Sequence, residues 1–129
     1  MPHPRIVCIS HDAVSMLSEL DALSYLVGRP SGICDEKLKS VPSIGGYGCP
    51  DLAKITSLSP DYVIGYSDFH ASLIAELVSK HISTIALNHS NIEGIYSALR
   101  LIGGLVSKYR EAEELIDRIQ SRVSAVETD

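Results

Sequence analysis

The sequence is poor in large aromatic residues and in long apolar runs, with no tryptophan and one phenylalanine among 129 residues. A membrane-spanning helix needs about 20 mainly apolar residues in succession. The chain contains no such run, so we expect no transmembrane helix. Its first residues, Met-Pro-His-Pro-Arg-Ile-Val, lack a charged segment followed by an apolar one, which predicts no signal peptide.

Cysteines are few, odd in number and not arranged as Cys-x-x-Cys: they are Cys8, Cys34 and Cys49. This pattern suits a reducing compartment better than a disulfide framework. We therefore expect a cytoplasmic chain as given, and a periplasmic or other extracytoplasmic one if a signal sequence was removed. Cys8 lies in a predicted strand and Cys49 at a predicted helix start, and we expect both to serve packing rather than catalysis.

Positive charge is also scarce, since 11 Lys and Arg face 16 Asp and Glu, for a net charge of -5 with His neutral. A phosphate backbone is a poor partner for such a chain, so we expect no nucleic-acid binding. Hydrophobic residues make up 45% of the sequence, which is enough for one domain with its own core. We expect a single domain over residues 1–129.

The common catalytic motifs are missing. A dinucleotide-binding Gly-x-Gly-x-x-Gly motif must follow the first strand, but Ser10-His11-Asp12 follows it here. The glycine-rich segment Gly45–Gly48 does not have that spacing, and the chain has neither a Walker lysine nor a His-Glu-x-x-His motif. No nucleophile triad is indicated either. The residues therefore indicate neither a nucleotide site nor a nucleophilic catalyst.

Predicted strands and helices alternate along the chain, which indicates a doubly wound, mostly parallel α/β sheet with helices on both faces. The apolar strand segments are Arg5–Ile9, Leu26–Gly28, Tyr62–Ile64 and Ser83–Leu87. The first predicted helix has Ser10 or Asp12 as its cap, and the second begins at Pro50. The third covers Ala71–Lys80, and the fourth extends from a capping box at Ser90–Glu93 to Val106. A long C-terminal helix covers 108–127.

Ligands of doubly wound sheets bind outside the carboxyl ends of the strands. Four predicted loops meet at that edge: Ser10–Asp12, Gly45–Gly48, Tyr66–Asp68 and Asn88–Ser90. We expect a ligand crevice there.

The stretch from Ser43 to Gly65 combines a loop, a helix and a buried strand. Three glycines surround Tyr47, so a flexible backbone presents one aromatic ring. Pro50 suits the first turn of the helix, and Asp51 adds negative charge at its positive end. The helix has a predicted buried face of Leu52, Ile55 and Leu58.

This stretch resembles the first lobe of the class III periplasmic binding proteins. The resemblance rests on Ile-Gly-Gly-Tyr-Gly-Cys-Pro-Asp-Leu at 44–52 and Leu-Ser-Pro-Asp-Tyr-Val-Ile at 58–64. It extends over the whole chain, which corresponds to the N-terminal half of a family member, with 108–127 as the start of the helix between the lobes. The chain departs from the family pattern at Ala53-Lys54, where Glu is frequent, and at His11-Asp12, which replaces Pro-Ser.

The resemblance implies a binding protein that captures cobalamin, haem or an iron-siderophore complex for the permease of an ABC importer. It therefore implies a protein that is not an enzyme and requires no cofactor. The loops at 68–71 and 88–90 resemble those of a cobalamin-binding subgroup of the family. This second resemblance favours cobalamin as the ligand. The resemblance to the family also implies that Tyr47 and Tyr66 pack against a flat macrocycle, for which planar rings are well suited. The remaining predicted ligand contacts are Gly46, Ser10, His11, Asp68 and His89.

Two alternatives remain open. In the first, His11, His70 and His89 bind or sense a metal ion, since neutral imidazole is a common ligand; exposed loop histidines or helix caps are the simpler interpretation. In the second, the C-terminal helix is an interaction surface that forms a homodimer. Its apolar residues follow a 3-4 spacing: Tyr109, Ala112, Ile116, Ile119, Val123 and Val126.

Overall fold

Four parallel strands form the central sheet of the computed structural model, which describes residues 3–32, 36–46, 49–88 and 91–128. The strands are β1 (Ile6–Cys8), β2 (Leu26–Gly28), β5 (Tyr62–Tyr66) and β6 (Ser83–Leu87), in the order β2-β1-β5-β6. A small antiparallel pair, β3 (Gly45–Gly46) and β4 (Cys49–Pro50), lies between β2 and β5 in the chain.

Five α-helices accompany the strands in these ranges: α1 (His11–Glu19), α2 (Leu52–Ser57), α3 (Ser67–Ser79), α4 (Ile92–Leu105) and α5 (Tyr109–Thr128). Short 3-10 helices cover Leu23–Tyr25 and Glu36–Leu38. The chain passes from β1 to its neighbour β2 and then returns to pair β5 with the other side of β1. The predicted doubly wound α/β sheet is confirmed, and the strand order reverses between β1 and β5.

The sheet has a separate apolar core on each face. Residues of α1, α4 and α5 form the larger cluster with Ile6, Cys8 and Ile64, while Ile55 of α2 and Leu77 of α3 form the smaller one with the opposite face of the sheet. Successive residues of β1 point alternately into the two clusters, which explains why the whole strand is apolar. Burial raises the pKa of the Cys8 thiol, consistent with the predicted packing role.

Three helices begin at side-chain caps. Ser10 Oγ accepts the Asp12 N–H at 3.2 Å, which confirms Ser10 as the cap of α1. The predicted start of α4 is wrong by one residue, because Asn91 has an extended backbone and its Oδ1 accepts the Gly94 N–H at 2.8 Å. Asparagine caps as well as serine does. The predicted cap, Ser90, lies outside the described residues.

The predicted place of Pro50 in the first turn of α2 is also wrong. Pro50 pairs with Gly45 in the antiparallel β3–β4 pair, and Asp51 is the cap of the helix. The Asp51 N–H donates to the Ile44 carbonyl at 2.8 Å, while its carboxylate accepts the Lys54 N–H at 3.2 Å. Asp51 therefore links the glycine-rich segment to α2.

Helices α1 to α4 end in the same way, with a left-handed residue just after the C-cap. These residues are Asp21, Ser59, His81 and Ser107, with φ from 49° to 63°. In α1, α3 and α4 the following N–H returns to a carbonyl five residues earlier, as in Ile82 to Leu77 at 3.0 Å. This is the Schellman arrangement, which satisfies carbonyl groups that a helix end leaves without partners. In α2 the following residue is Pro60, which has no N–H.

The long C-terminal helix that the sequence predicts is present as α5. Its predicted apolar seam is buried in the first half of the helix, at Ala112 and Ile116, and is partly buried at Ile119. The ends of the seam are open, with Tyr109 59% and Val126 76% exposed. No helix in the described ranges is long and apolar enough to cross a membrane.

Candidate functional site

A hydrogen bond from His11 joins the end of β1 to the loop after β2. Ser10 is buried at the start of α1, whereas His11 is exposed. His11 Nε2 lies 3.0 Å from the Ser31 carbonyl oxygen. A carbonyl can only accept, so Nε2 carries the proton and donates. In this arrangement Nε2 is not a metal ligand.

The loop after β2 forms the next part of the same edge. The Ser31 N–H donates to the Gly45 carbonyl at 2.9 Å, and the Ile44 N–H donates to the Arg29 carbonyl at 2.8 Å. A side-chain hydrogen bond from His11 to Ser31 and a backbone one from Ser31 to Gly45 therefore connect the start of α1 to the glycine-rich segment. The four loops predicted to form the crevice do not include residues 29–32. These residues follow the carboxyl end of β2 at Gly28, which belongs to the same edge of the sheet.

Glycine is required at one position of the glycine-rich segment. Gly45 has φ of 108°, which L side chains rarely adopt. Gly46 pairs with Cys49, and a Cβ on Gly46 would lie 3.9 Å from Ser31 Oγ. Gly46 is thus placed at the predicted edge. Tyr47 lies outside the described residues, and its ligand contact stays a prediction.

The end of β5 differs from the predicted loop. The strand continues to Tyr66, and α3 begins immediately at Ser67 rather than at Ala71. Tyr66 is partly buried against the larger apolar cluster. The backbone of Asp68 belongs to the first turn of α3. The structure does not describe its side chain. Helix α3 is kinked at His70, whose φ of -118° and ψ of 17° are not helical.

His70 is buried, with 2% of its surface exposed, and is not the exposed loop residue that the simpler interpretation offered. Its Nδ1 lies 3.2 Å from the backbone nitrogen of Tyr66, the residue that precedes α3. The N–H donates, so Nδ1 accepts and its lone pair is used. His70 lies inside α3, four residues after Tyr66, so the helix-cap part of the same interpretation does not describe it either.

The end of β6 borders a hollow of about 220 Å³ beneath α4. Asn88 is exposed there, and His89 lies outside the described residues. The hollow is lined mainly by small and apolar residues: Ala86, Leu87, Asn88, Gly94, Ser97, Ala98 and Leu101.

A larger hollow, of about 520 Å³, lies at the opposite edge of the sheet, where the strands begin. Its most polar lining residue, Arg5, is engaged in the fold: the guanidinium donates to the Leu58 and Ser59 carbonyls at the end of α2, and the Arg5 N–H donates to Asp61. We place the functional site at the carboxyl edge despite the smaller volume there, because the strand order reverses at that edge.

Metal ligation is not supported by the described residues. Among 3–32, 36–46, 49–88 and 91–128, no three His, Cys, Asp or Glu side chains are grouped to hold an ion. His11 and His70 each use one ring nitrogen in a backbone hydrogen bond. A role for His89 stays a prediction.

Solved structures share this fold along nearly the whole chain. An ABC transporter substrate-binding protein from Listeria monocytogenes EGD-e matches with a TM-score of 0.88 and 23% identity, over 98% of this chain and 49% of that one. The periplasmic heme-binding protein HutB of Vibrio cholerae matches with 0.85 and 19%, over 99% and 51%. The petrobactin-binding protein YclQ from Bacillus subtilis matches with 0.83 and 21%, over 96% and 46%.

These similarities establish a shared fold, and the chain spans about half the length of each of these proteins. No curated protein sequence matches the chain. The profile of the periplasmic binding protein family matches residues 6–129. The chain therefore belongs to the periplasmic binding protein family.

Proposed function

We propose that this chain is the N-terminal lobe of a substrate-binding protein that delivers a metal chelate to an ABC importer, and that it binds without catalysing a reaction. The observation that carries the proposal is the family match over residues 6–129. It is supported by two structural relatives whose names specify heme and petrobactin. The permease partner and an extracytoplasmic location follow from the same family role.

The proposed ligand is a haem, an iron-siderophore complex or cobalamin, with cobalamin favoured by the sequence around 68–71 and 88–90. In this proposal Tyr66, which is partly buried, and Tyr47 provide flat apolar surfaces for the chelate at the carboxyl edge. A hydrogen bond from the His11 side chain to the Ser31 carbonyl and a backbone bond from Ser31 to Gly45 keep three loops together there. The remaining proposed contacts are Gly46, Ser10, Asp68 and His89.

Absorption titrations with hemin, cyanocobalamin and a ferric siderophore test this proposal. We expect a saturable spectral change with at least one of them, weakened about fivefold or more by Tyr47→Ala because a stacked ring is lost. Tyr109→Ala, which removes an exposed ring of α5 far along the chain, is the matched control. No binding of any of the three chelates would reject the proposal.

A second candidate role is homodimer formation through α5. The observation that favours it is the exposed end of the seam, where Val126 is 76% exposed. A two-fold dimer would cover this surface with a second copy, and two-fold pairing is the commonest closed assembly. The dimer would also contain two ligand crevices.

Sedimentation equilibrium at micromolar concentration tests the dimer. We expect a dimer that Ile119→Glu separates into monomers. Gln120→Glu adds the same carboxylate at an exposed neighbouring position and should leave the dimer intact. A single monomeric species of the unaltered chain would exclude the dimer.

A further inference from the structure

The hydrogen bonds between β1 and β5, the two strands between which the strand order reverses, end at the carboxyl edge of the sheet. Its last observed backbone bond in this direction joins the Ile9 N–H to the Ile64 carbonyl at 2.9 Å. Backbone groups two residues apart in a strand point to the same side, so the Tyr66 N–H also points towards β1. In a parallel ladder the next acceptor would be the Ile9 carbonyl. At this point the Tyr66 N–H donates to His70 Nδ1 at 3.2 Å.

The imidazole of His70 is fixed in this position by burial. Only 2% of the residue is exposed, and its backbone forms the kink of α3. The ring lies over Gly65, where an added Cβ would be 3.5 Å from His70 Nδ1. Since Nδ1 accepts an N–H at 3.2 Å, the ring has its Nδ1 unprotonated.

We propose that His70 is the positioning residue of the ligand crevice. Its Nδ1 replaces the backbone of β1 as the acceptor for the Tyr66 N–H, and it thereby sets where β5 ends and where α3 begins. Tyr66, a proposed ligand contact, is held at the reversal point of the sheet by this bond. The ligand part of the inference rests on the proposed function, whereas the bond itself does not.

Three substitutions separate the hydrogen bond from the packing of the ring. Asparagine carries an acceptor oxygen close to the place of Nδ1, so His70→Asn should keep the bond. Glutamine carries its oxygen one atom further out, near the place of Nε2, and leucine fills the space without an acceptor. His70→Gln and His70→Leu should therefore lose the bond to Tyr66, leaving a part-buried donor without its acceptor.

Amide hydrogen exchange of the full chain, followed by nuclear magnetic resonance, tests the bond without any ligand. We expect the Tyr66 amide to exchange about tenfold faster in His70→Leu and His70→Gln than in the unaltered chain, and at a nearly unchanged rate in His70→Asn. The Val63 amide in the centre of β5 is the internal reference. In the unaltered chain, the nitrogen chemical shift of Nδ1 should be that of an unprotonated ring nitrogen.

Titrations of the same variants with hemin, cyanocobalamin and a ferric siderophore test the positioning role. For the chelate that the unaltered chain binds, we expect His70→Leu to lower the affinity about tenfold and His70→Asn to restore most of it. Equal Tyr66 exchange in His70→Leu and the unaltered chain would overturn the inference, as would faster exchange with unchanged chelate affinity. If the unaltered chain binds none of the three chelates, the proposed function fails, while the exchange rates still decide whether His70 positions Tyr66.

Discussion

Gly103 of α4 faces Ala112 of α5 so closely that a Cβ on the glycine would lie 2.7 Å from the alanine Cβ. The same atom would be 3.2 Å from the Lys108 carbonyl oxygen, which belongs to the backbone and cannot easily move away. The Gly103 carbonyl also accepts the Lys108 N–H at 2.7 Å, which closes the end of α4. The tight turn into α5 therefore depends on the absence of a side chain at position 103.

The neighbouring glycine provides a matched comparison. A Cβ on Gly104 would meet nothing within 4 Å, and the residue is exposed. We expect Gly103→Ala to lower the free energy of unfolding by about 1–3 kcal/mol through the clash. Gly104→Ala should raise it by about 0.5–1 kcal/mol, because alanine loses less backbone entropy in a helix.

Urea unfolding of both variants measures these changes. The decisive observation is the opposite sign of the two effects. Equal effects of the two alanines would show that α4 and α5 do not approach as closely as the structure has them.

A second close approach lies in β5, beneath the proposed crevice. A Cβ on Gly65 would be 2.7 Å from Cδ1 and 2.8 Å from Cγ1 of Ile9, which is fully buried. We expect Gly65→Ala to destabilise the fold by about 1–3 kcal/mol. The control is Gly46→Ala, whose added Cβ would meet its nearest neighbour only at 3.9 Å and should change stability by less than about 0.5 kcal/mol. Thermal unfolding of the two variants distinguishes them, and an unaffected Gly65→Ala would contradict the packing of Ile9.

The ion pair between α4 and α5 predicts a defined pH dependence. Arg100 Nε donates to Glu113 Oε1 at 2.7 Å. This hydrogen bond, together with the charge of Arg100, lowers the pKa of Glu113 below its ordinary value of 4.5. Because the pKa is lower in the folded state, the stabilisation is complete above pH 4.5 and is lost as the pH falls through the lowered pKa.

We therefore expect Glu113→Gln to be less stable than the unaltered chain at neutral pH, with a difference that disappears in acid and shrinks in high salt. Glu114→Gln removes the same charge from the exposed neighbouring residue and is the control. Chemical unfolding at several pH values measures the difference. A difference that persists at pH 2 would assign the effect to packing instead of charge.

Divalent metal ions should not stabilise the fold through the loop histidines. His11 Nε2 donates to a carbonyl and His70 Nδ1 accepts from an amide, so neither atom is available to an ion without breaking a hydrogen bond. A site that bound only the folded chain would add about 2.7 kcal/mol at a metal concentration of 100 times Kd. We expect no shift of the melting temperature with zinc. A shift that His11→Ala or His89→Ala abolishes would favour the metal-binding alternative.

The sequence predicts the elements of this fold better than it predicts their junctions. Apolar runs identify β1, β2, β5 and β6 because buried parallel strands leave little choice of residue type. The starts of α2 and α4 were each misplaced, since several polar residues in succession can cap a helix and only the backbone conformation selects Asp51 and Asn91.

In the candidate site, too, the sequence predicts the position of the loops better than the contacts between side chains and backbone. The rule for carboxyl ends of strands correctly brings Ser10, His11, Gly46 and Tyr66 to one edge. The role of His70 could not be predicted, because it depends on a kink inside α3 and on a contact with the strand that precedes it. Ser31 could have been predicted from the end of β2 at Gly28.

The left-handed residues that end the first four helices are positions at which a substitution should raise the melting temperature. None of Asp21, Ser59, His81 and Ser107 is a glycine, although a side chain in this conformation costs about 1 kcal/mol. Asp21 precedes the 3-10 helix that leads into β2, and Ser59 and His81 precede β5 and β6, so all three lie at the amino edge of the sheet. Ser107 follows α4, whose last residue, Leu105, borders the hollow at that same edge. Glycine at these four positions should therefore raise the melting temperature while leaving chelate affinity unchanged, so that heat resistance and ligand capture can be optimised separately.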